Sequence, residues 1–174
     1  MSKECSENYA KLLRNLKWEA MGNRIIDNIL VIGGGNLQIA SMMLKDTGAF
    51  IIVIDPKVFE VQELQSLFLS KETVSLVSRE VSPNYRLQLI PRKLKCVPQS
   101  ILEREYDLIF IDVSEVYKSF FDKENFEIIQ KLNSPTIMYL PHSVHFESLF
   151  KHPPRINDIR IIYPRGNIVA FNIP

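Results

Sequence analysis

Hydrophobic positions along this chain follow two kinds of pattern, and their succession lays out a fold. Ile29-Leu30-Val31-Ile32, Ile51-Ile52-Val53-Ile54 and Leu108-Ile109-Phe110-Ile111 are continuous apolar runs. A strand without polar alternation is one covered on both faces, as in a parallel sheet. Around these runs, apolar residues recur near helical spacing: Tyr9, Leu12, Leu13, Leu16 and Met21, then Leu37, Ala40, Met43 and Leu44, then Val58, Phe59, Val61, Leu64, Leu67 and Phe68. They predict a leading amphipathic helix closing near Gly22, a second helix through Lys45, and a crossover helix that Pro56 can open at its first turn.

The later chain continues the alternation. Thr73 to Val77 alternates like a strand, and Pro83 and Pro91 bound a segment containing Arg86-Leu87-Gln88-Leu89-Ile90. The expected third parallel strand is Leu94-Lys95-Cys96-Val97, followed by a short acidic loop from Ser100 to Glu105. Phe120 to Leu132 predicts a helix, Pro135 to Leu140 a strand, and His142 to Phe150 a short helix. After Pro153-Pro154, the β-rich runs Ile159–Tyr163 and Asn167–Phe171 flank Pro164-Arg165-Gly166 and read as an antiparallel hairpin.

Length and charge narrow what such a fold can do. At 174 residues the chain reads as one domain, 1–174, with a tail and leading helix over 1–23. A formal charge of +1 with 24% charged residues supplies no global field for nucleic acid or an anionic membrane. A local basic patch would still suffice for an RNA substrate; the expected partner is a small molecule, with homo-oligomerisation left open. Cys5 and Cys96 lie far apart without metal-type spacing, and no apolar run reaches the roughly twenty residues that span a bilayer. The plain reading is a reduced, soluble, cytoplasmic protein without a signal peptide.

Chemistry concentrates at the strand ends. Gly33-Gly34-Gly35-Asn36 follows the first apolar run, where glycines let the backbone turn sharply and a ligand approach closely. The next helix would aim its N-terminal N–H groups at that ligand. Asp55 ends the second run about twenty residues later, the spacing at which a carboxylate meets a ribose. Asp112 ends Tyr106-Asp107-Leu108-Ile109-Phe110-Ile111-Asp112, so both acids should open onto the same sheet edge, beyond the strand C-termini. Asp55 could instead cap a helix and Asp112 brace its own turn.

Other polar groups rank lower. His142 and His145 could reach that edge and share a helix face, yet no third ligand has convincing spacing and no metal site is assigned. Arg86, Arg92, Lys93 and Lys95 form a basic group that could touch an anionic substrate or simply be solvated. Glu115 reads as a solvated loop charge, and Met42 and Met43 as core filling.

The order of helix, Gly-rich turn, acidic strand end, Tyr-Asp-Leu-Ile-Phe-Ile-Asp and terminal hairpin resembles the class I S-adenosylmethionine-dependent methyltransferases across nearly the whole chain. The segments Ile29–Asn36 and Tyr106–Glu115 look most like the spermidine synthase branch. The resemblance implies an α/β fold with a Rossmann-like, mostly parallel sheet, a C-terminal antiparallel hairpin and helices on both faces. It also implies S-adenosylmethionine or its decarboxylated form as cofactor, and transfer of a methyl or aminopropyl group to a small-molecule or amine acceptor. Gly33 and Gly35 would pass under the methionine part of the cofactor, Gly34 and Asn36 would belong to the same cofactor-binding turn, and Asp55 would accept from the ribose hydroxyls. Pro56 and Ser100 would complete the cofactor side. Asp112 would touch both cofactor and acceptor, orienting the acceptor amine or taking its proton.

Asn36 stands where that branch has Asp, Leu37 and Gln38 replace its next two glycines, and Glu115 replaces the second Asp of its catalytic motif. Two alternatives follow. The Val-x-Gly-Gly-Gly turn is also similar to a nicotinamide-dependent dehydrogenase of the siroheme-synthase kind. Bulk at Leu37 and Gln38 would suit a non-catalytic, methyltransferase-like subunit.

Overall fold

The structure is a computed structural model that describes residues 24–33, 47–56, 74–75, 86–113, 123–141, 145–150, 156–163 and 166–172, with positions 15, 22, 40, 43, 44 and 152. The strands are β1 (Asn28–Gly33), β2 (Phe50–Ile54), β3 (Val74–Ser75), β4 (Leu87–Ile90), β5 (Leu108–Asp112), β6 (Thr136–Pro141), β7 (Ile156–Tyr163) and β8 (Gly166–Phe171). They form one eight-stranded sheet in the order β3-β4-β2-β1-β5-β6-β8-β7. Every pairing from β3 to β6 is parallel. The β6–β8 and β7–β8 pairings are antiparallel, as the hairpin reading expected.

Burial explains why the central strands carry no polar alternation. Ile29 and Val31 of β1, Ile51 and Val53 of β2, and Leu108 and Phe110 of β5 belong to one apolar layer, which includes Ala40 and Met43. Leu30 and Ile32, Ile52 and Ile54, and Ile109 and Ile111 belong to the other. That second layer is closed by Ile101 of α1 (Gln99–Leu102), Phe126 and Ile129 of α2 (Lys123–Gln130) and Phe146 of α3 (Phe146–Leu149). Ala40, Met43 and Leu44 are helical, so helical residues pack on both faces. Removing one fully buried side chain, as in Leu30→Ala, costs about 2–5 kcal/mol through lost transfer energy and a residual cavity.

The third parallel strand is not where the sequence reading placed it. Leu87–Ile90 supplies the strand beside β2, while Leu94–Cys96 is a single 3-10 turn. The reason is burial on two faces: all four residues of β4 are buried, Gln88 included. Lys93, Lys95 and Cys96 are exposed and only Leu94 and Val97 turn inward, a spacing of three that suits a turn of helix. The acidic loop expected from Ser100 begins instead inside α1.

The helix expected over Phe120–Leu132 is present as Lys123–Gln130, and that over His142–Phe150 as Phe146–Leu149. The leading helix lies outside the described residues except for helical Asn15, and the crossover helix after Pro56 lies wholly outside them. Among the described residues no helix is long and apolar enough to cross a membrane.

Candidate functional site

The chain winds outward from β1 to β2 and β4, then returns to place β5 on the other flank of β1. This reversal falls between β1 and β5, whose carboxyl ends mark the place where ligands lie in open parallel sheets. Register brings the candidate residues to that edge. Gly33 pairs with Asp112 across β1 and β5. On the other flank Ile32 pairs with Ile54, so Asp55 comes level with Gly33, its N–H donating to the Ile90 carbonyl at 3.1 Å. Asp112 pairs in turn with Tyr139 of β6, and Tyr139 with Ile168 of β8.

Strand alternation then decides the face. Positions 29 and 31, 51 and 53, and 108 and 110 all belong to the layer containing Ala40 and Met43. Two residues further along each strand, Gly33, Asp55 and Asp112 fall on that same face. Tyr139 packs against the same layer. The result is a row across four neighbouring strands: Asp55, Gly33, Asp112, Tyr139. With strands about 4.8 Å apart, the main chains of the two acids stand roughly 10 Å apart, one on each side of the glycine.

Each member of the row has a local reason to be there. Gly33 is buried with φ +80°, a conformation that L side chains rarely adopt, so the end of β1 requires glycine. Asp55 and Asp112 are 0% and 4% exposed, which removes both from the class of solvated turn carboxylates. Burying a carboxylate is expensive, so the strand ends retain these groups against the tendency to place acids in water. Pro56 is half-buried directly after Asp55. Gly34, Gly35, Asn36, Glu115 and His142 lie outside the described residues.

The remaining candidates are not brought into the row. Ser100 is exposed on α1, which packs on the opposite face through Ile101. His145 is exposed at the start of α3, where its carbonyl accepts bonds from the Ser148 N–H and Oγ. Among the described residues no group of three His, Cys, Asp or Glu could hold a metal ion.

The basic group separates into different jobs. Arg86 donates to the carbonyls of Ala49 and Leu44 at 3.3 and 3.0 Å and to that of Thr47, where helix C-terminal carbonyls gather negative charge. Lys95 pairs with Glu124 at 3.2 Å, both side chains largely in solvent, a contact worth less than about 1 kcal/mol. Arg92 and Lys93 directly follow β4 at the carboxyl edge.

The opposite, amino edge is built from struts. Asp107 Oδ2 accepts the N–H groups of Asp27 and Asn28, both at 2.9 Å, and so ties the start of β5 to the start of β1. The Tyr106 hydroxyl donates to the Ile101 carbonyl at 2.6 Å. Burial pushes that phenol up to about 12, against a smaller downward pull from Arg104, so it stays protonated as a strut. A cleft of about 640 Å³ opens on this side, lined by Leu102–Glu105 before β5 and Lys131–Ser134 before β6. It lies away from the row.

Comparison with known proteins bears on the arrangement. No family model and no curated protein matches the chain. Solved structures do. An RNA methyltransferase from Salinibacter ruber in complex with S-adenosyl-L-homocysteine is similar with TM-score 0.56 and 11% identity, over 94% of this chain and 91% of that one. The fold is that of the Rossmann-like methyltransferases. The 16S rRNA methylase RmtB is similar with TM-score 0.58 and 14% identity, over 95% of this chain and 64% of RmtB. MtNAS, a nicotianamine synthase, in complex with MTA and tNA gives TM-score 0.56 and 15% identity over 95% of this chain. The chain spans 60% of the length of MtNAS. These neighbours share the methyltransferase fold without pointing specifically to the spermidine synthase branch.

Tyr139 was not among the residues that the sequence singled out. The strand that carries it was legible, but only pairing with β5 sets it beside Asp112. A tyrosine near the end of a strand is otherwise an ordinary β-former.

Proposed function

We propose that this chain is an S-adenosylmethionine-dependent transferase that binds its cofactor across the crevice between β1 and β5 and moves a methyl group to a small-molecule acceptor. The observation that supports this reading is the row itself: a glycine with positive φ between two buried strand-end carboxylates, on one face, at the switch point of the sheet. The residues suit the cofactor. Asp55 presents two oxygens with several lone pairs, the acceptor set that a vicinal ribose diol requires. Gly33 leaves room above the turn because it has no Cβ.

When bound, the cofactor supplies an electrophilic carbon on a sulfonium, so the protein's work is positioning. Asp112, across Gly33 from Asp55, would hold an acceptor N–H or O–H and accept its proton as the new bond forms. The neighbour from Salinibacter ruber carries S-adenosyl-L-homocysteine, which supports this cofactor class for the fold. The decarboxylated cofactor and aminopropyl transfer form the finer alternative that the Tyr106–Glu115 resemblance favours.

Calorimetric titration with S-adenosylmethionine, its decarboxylated form and oxidised and reduced nicotinamide dinucleotides tests the reading. One sulfonium ligand should bind, and Asp55→Ala should weaken it roughly 10- to 100-fold, the loss expected when hydrogen bonds to a charged group are removed. Binding of the nicotinamides alone would overturn the proposal. Silence from every ligand in a folded sample would turn it toward a non-catalytic subunit.

A further inference from the structure

The cleft at the amino edge is separate from the row and carries chemistry of its own. Its walls include the segments that lead into two neighbouring strands, Leu102–Glu105 before β5 and Lys131–Ser134 before β6. Four of its lining residues are apolar and continuous with the core: Val97 and Leu132 belong to the second hydrophobic layer, and half-buried Leu102 and Ile128 pack against it. At about 640 Å³ the cleft falls within the roughly 300–1,000 Å³ of sites that hold small organic ligands.

Part of the polar lining is already engaged. Lys95 pairs with Glu124 at 3.2 Å, Gln99 Nε2 donates to Glu103 Oε1 at 2.6 Å, and Ser134 Oγ accepts the Tyr106 N–H at 3.3 Å. Arg104 and Lys131, one on each wall, are exposed, and their side chains make no ion pair or hydrogen bond among the described residues. Glu105 is the one acid of the lining in the same state. Two uncommitted cations against one uncommitted acid leave an excess of positive charge beside the apolar residues. Such a surface favours an anionic head, through charge-assisted hydrogen bonds, joined to an apolar body.

We propose that this cleft is a second ligand site, distinct from the row, for an amphipathic organic monoanion whose carboxylate is held by Arg104 and Lys131 and whose hydrocarbon body lies on Leu102 and Ile128. Glu105 disfavours a second negative charge on the ligand. The site stands independently of the cofactor reading.

The experiment titrates the full chain at neutral pH with 2-naphthoate, with 2-naphthylmethylammonium, which has the same rings and the opposite charge, and with acetate, which has the same head without the rings. Binding is followed by methyl chemical-shift perturbation. Naphthoate should bind with a Kd on the order of 1 mM or tighter, as expected for a ligand of its size. It should shift the methyls of Leu102, Ile128 and Leu132 and leave those of Ile32 and Ile54, which precede Gly33 and Asp55, unmoved. The ammonium and acetate should produce no such shifts at the same concentrations. Arg104→Gln and Lys131→Gln should each weaken naphthoate about 2- to 5-fold, the loss of one solvent-exposed charge pair, and the double variant about 5- to 25-fold.

Absence of naphthoate binding, equal binding of the ammonium or of acetate, shifts at Ile32 and Ile54 in place of the cleft methyls, or undiminished binding by the double variant would each overturn the proposal. None of these outcomes bears on whether the row binds S-adenosylmethionine. The contrast among the three ligands and the methyl map on the unaltered chain decide the matter even if a variant does not fold.

Discussion

The two edges of this one sheet use the same residue types for different ends. At the amino edge, Asp107, Arg86 and Tyr106 all spend their polar atoms on main-chain groups: the N–H groups of Asp27 and Asn28, the carbonyls of Leu44, Thr47 and Ala49, and the carbonyl of Ile101. At the carboxyl edge, Asp55, Asp112 and Tyr139 stand in register around a glycine, at the point where the winding reverses. A carboxylate bonded to two backbone N–H groups eighty residues away is explained by folding alone. A pair of buried carboxylates flanking the switch point stands at the edge where ligands lie in open parallel sheets.

That contrast can be broken by exchanging stability for binding. The largest stability effect is expected at the amino edge: Asp107→Ala removes two hydrogen bonds to a carboxylate and should cost about 3 kcal/mol in urea unfolding, with S-adenosylmethionine affinity unchanged. Asp55→Ala should show the larger loss of affinity, the 10- to 100-fold given above, in a sample that still folds. If Asp107→Ala abolished binding in a folded sample, or Asp55→Ala only unfolded the protein, the division between the edges would fail.

Smaller effects sharpen the same contrast. Arg86→Met should cost about 2 kcal/mol by leaving three carbonyls without their donor, again without changing ligand affinity. Tyr106→Phe should cost about 1 kcal/mol near neutral pH. Tyr106 also predicts a pH dependence. The fold raises this phenol from 10.0 to about 12, so the folded state holds the proton more tightly than the unfolded chain. The stability it contributes is complete below pH 10 and is lost as pH rises through about 12. Unfolding of the parent should therefore become easier over that window, and the phenylalanine variant should lack this component.

Much of the fold was legible because a strand covered on both faces has one kind of sequence. β1, β2 and β5 are uninterrupted apolar runs, and each ends where a glycine or an acid begins to make sense. β4 was misplaced for the converse reason. Gln88 interrupts its short run and Pro91 closes it, while Leu94 to Val97 imitates a strand with two apolar ends. Which of two weak runs fills the slot beside β2 depends on what the β2 flank can bury, and that is a property of the assembled sheet. The basic group was similarly ambiguous, since only the folded chain brings Arg86 to carbonyls some forty positions earlier.

By itself, the sequence determined the parallel core, the antiparallel hairpin and the two acids at strand ends, because local patterning and burial obey the same period. Only the tertiary structure decided that Gly33, Asp55 and Asp112 share one face, that Tyr139 completes their row, and that Asp107 and Tyr106 belong to the other edge. Those relations join residues from separate strands, and the register that aligns them is set by hydrogen bonds between strands rather than by neighbours along the chain.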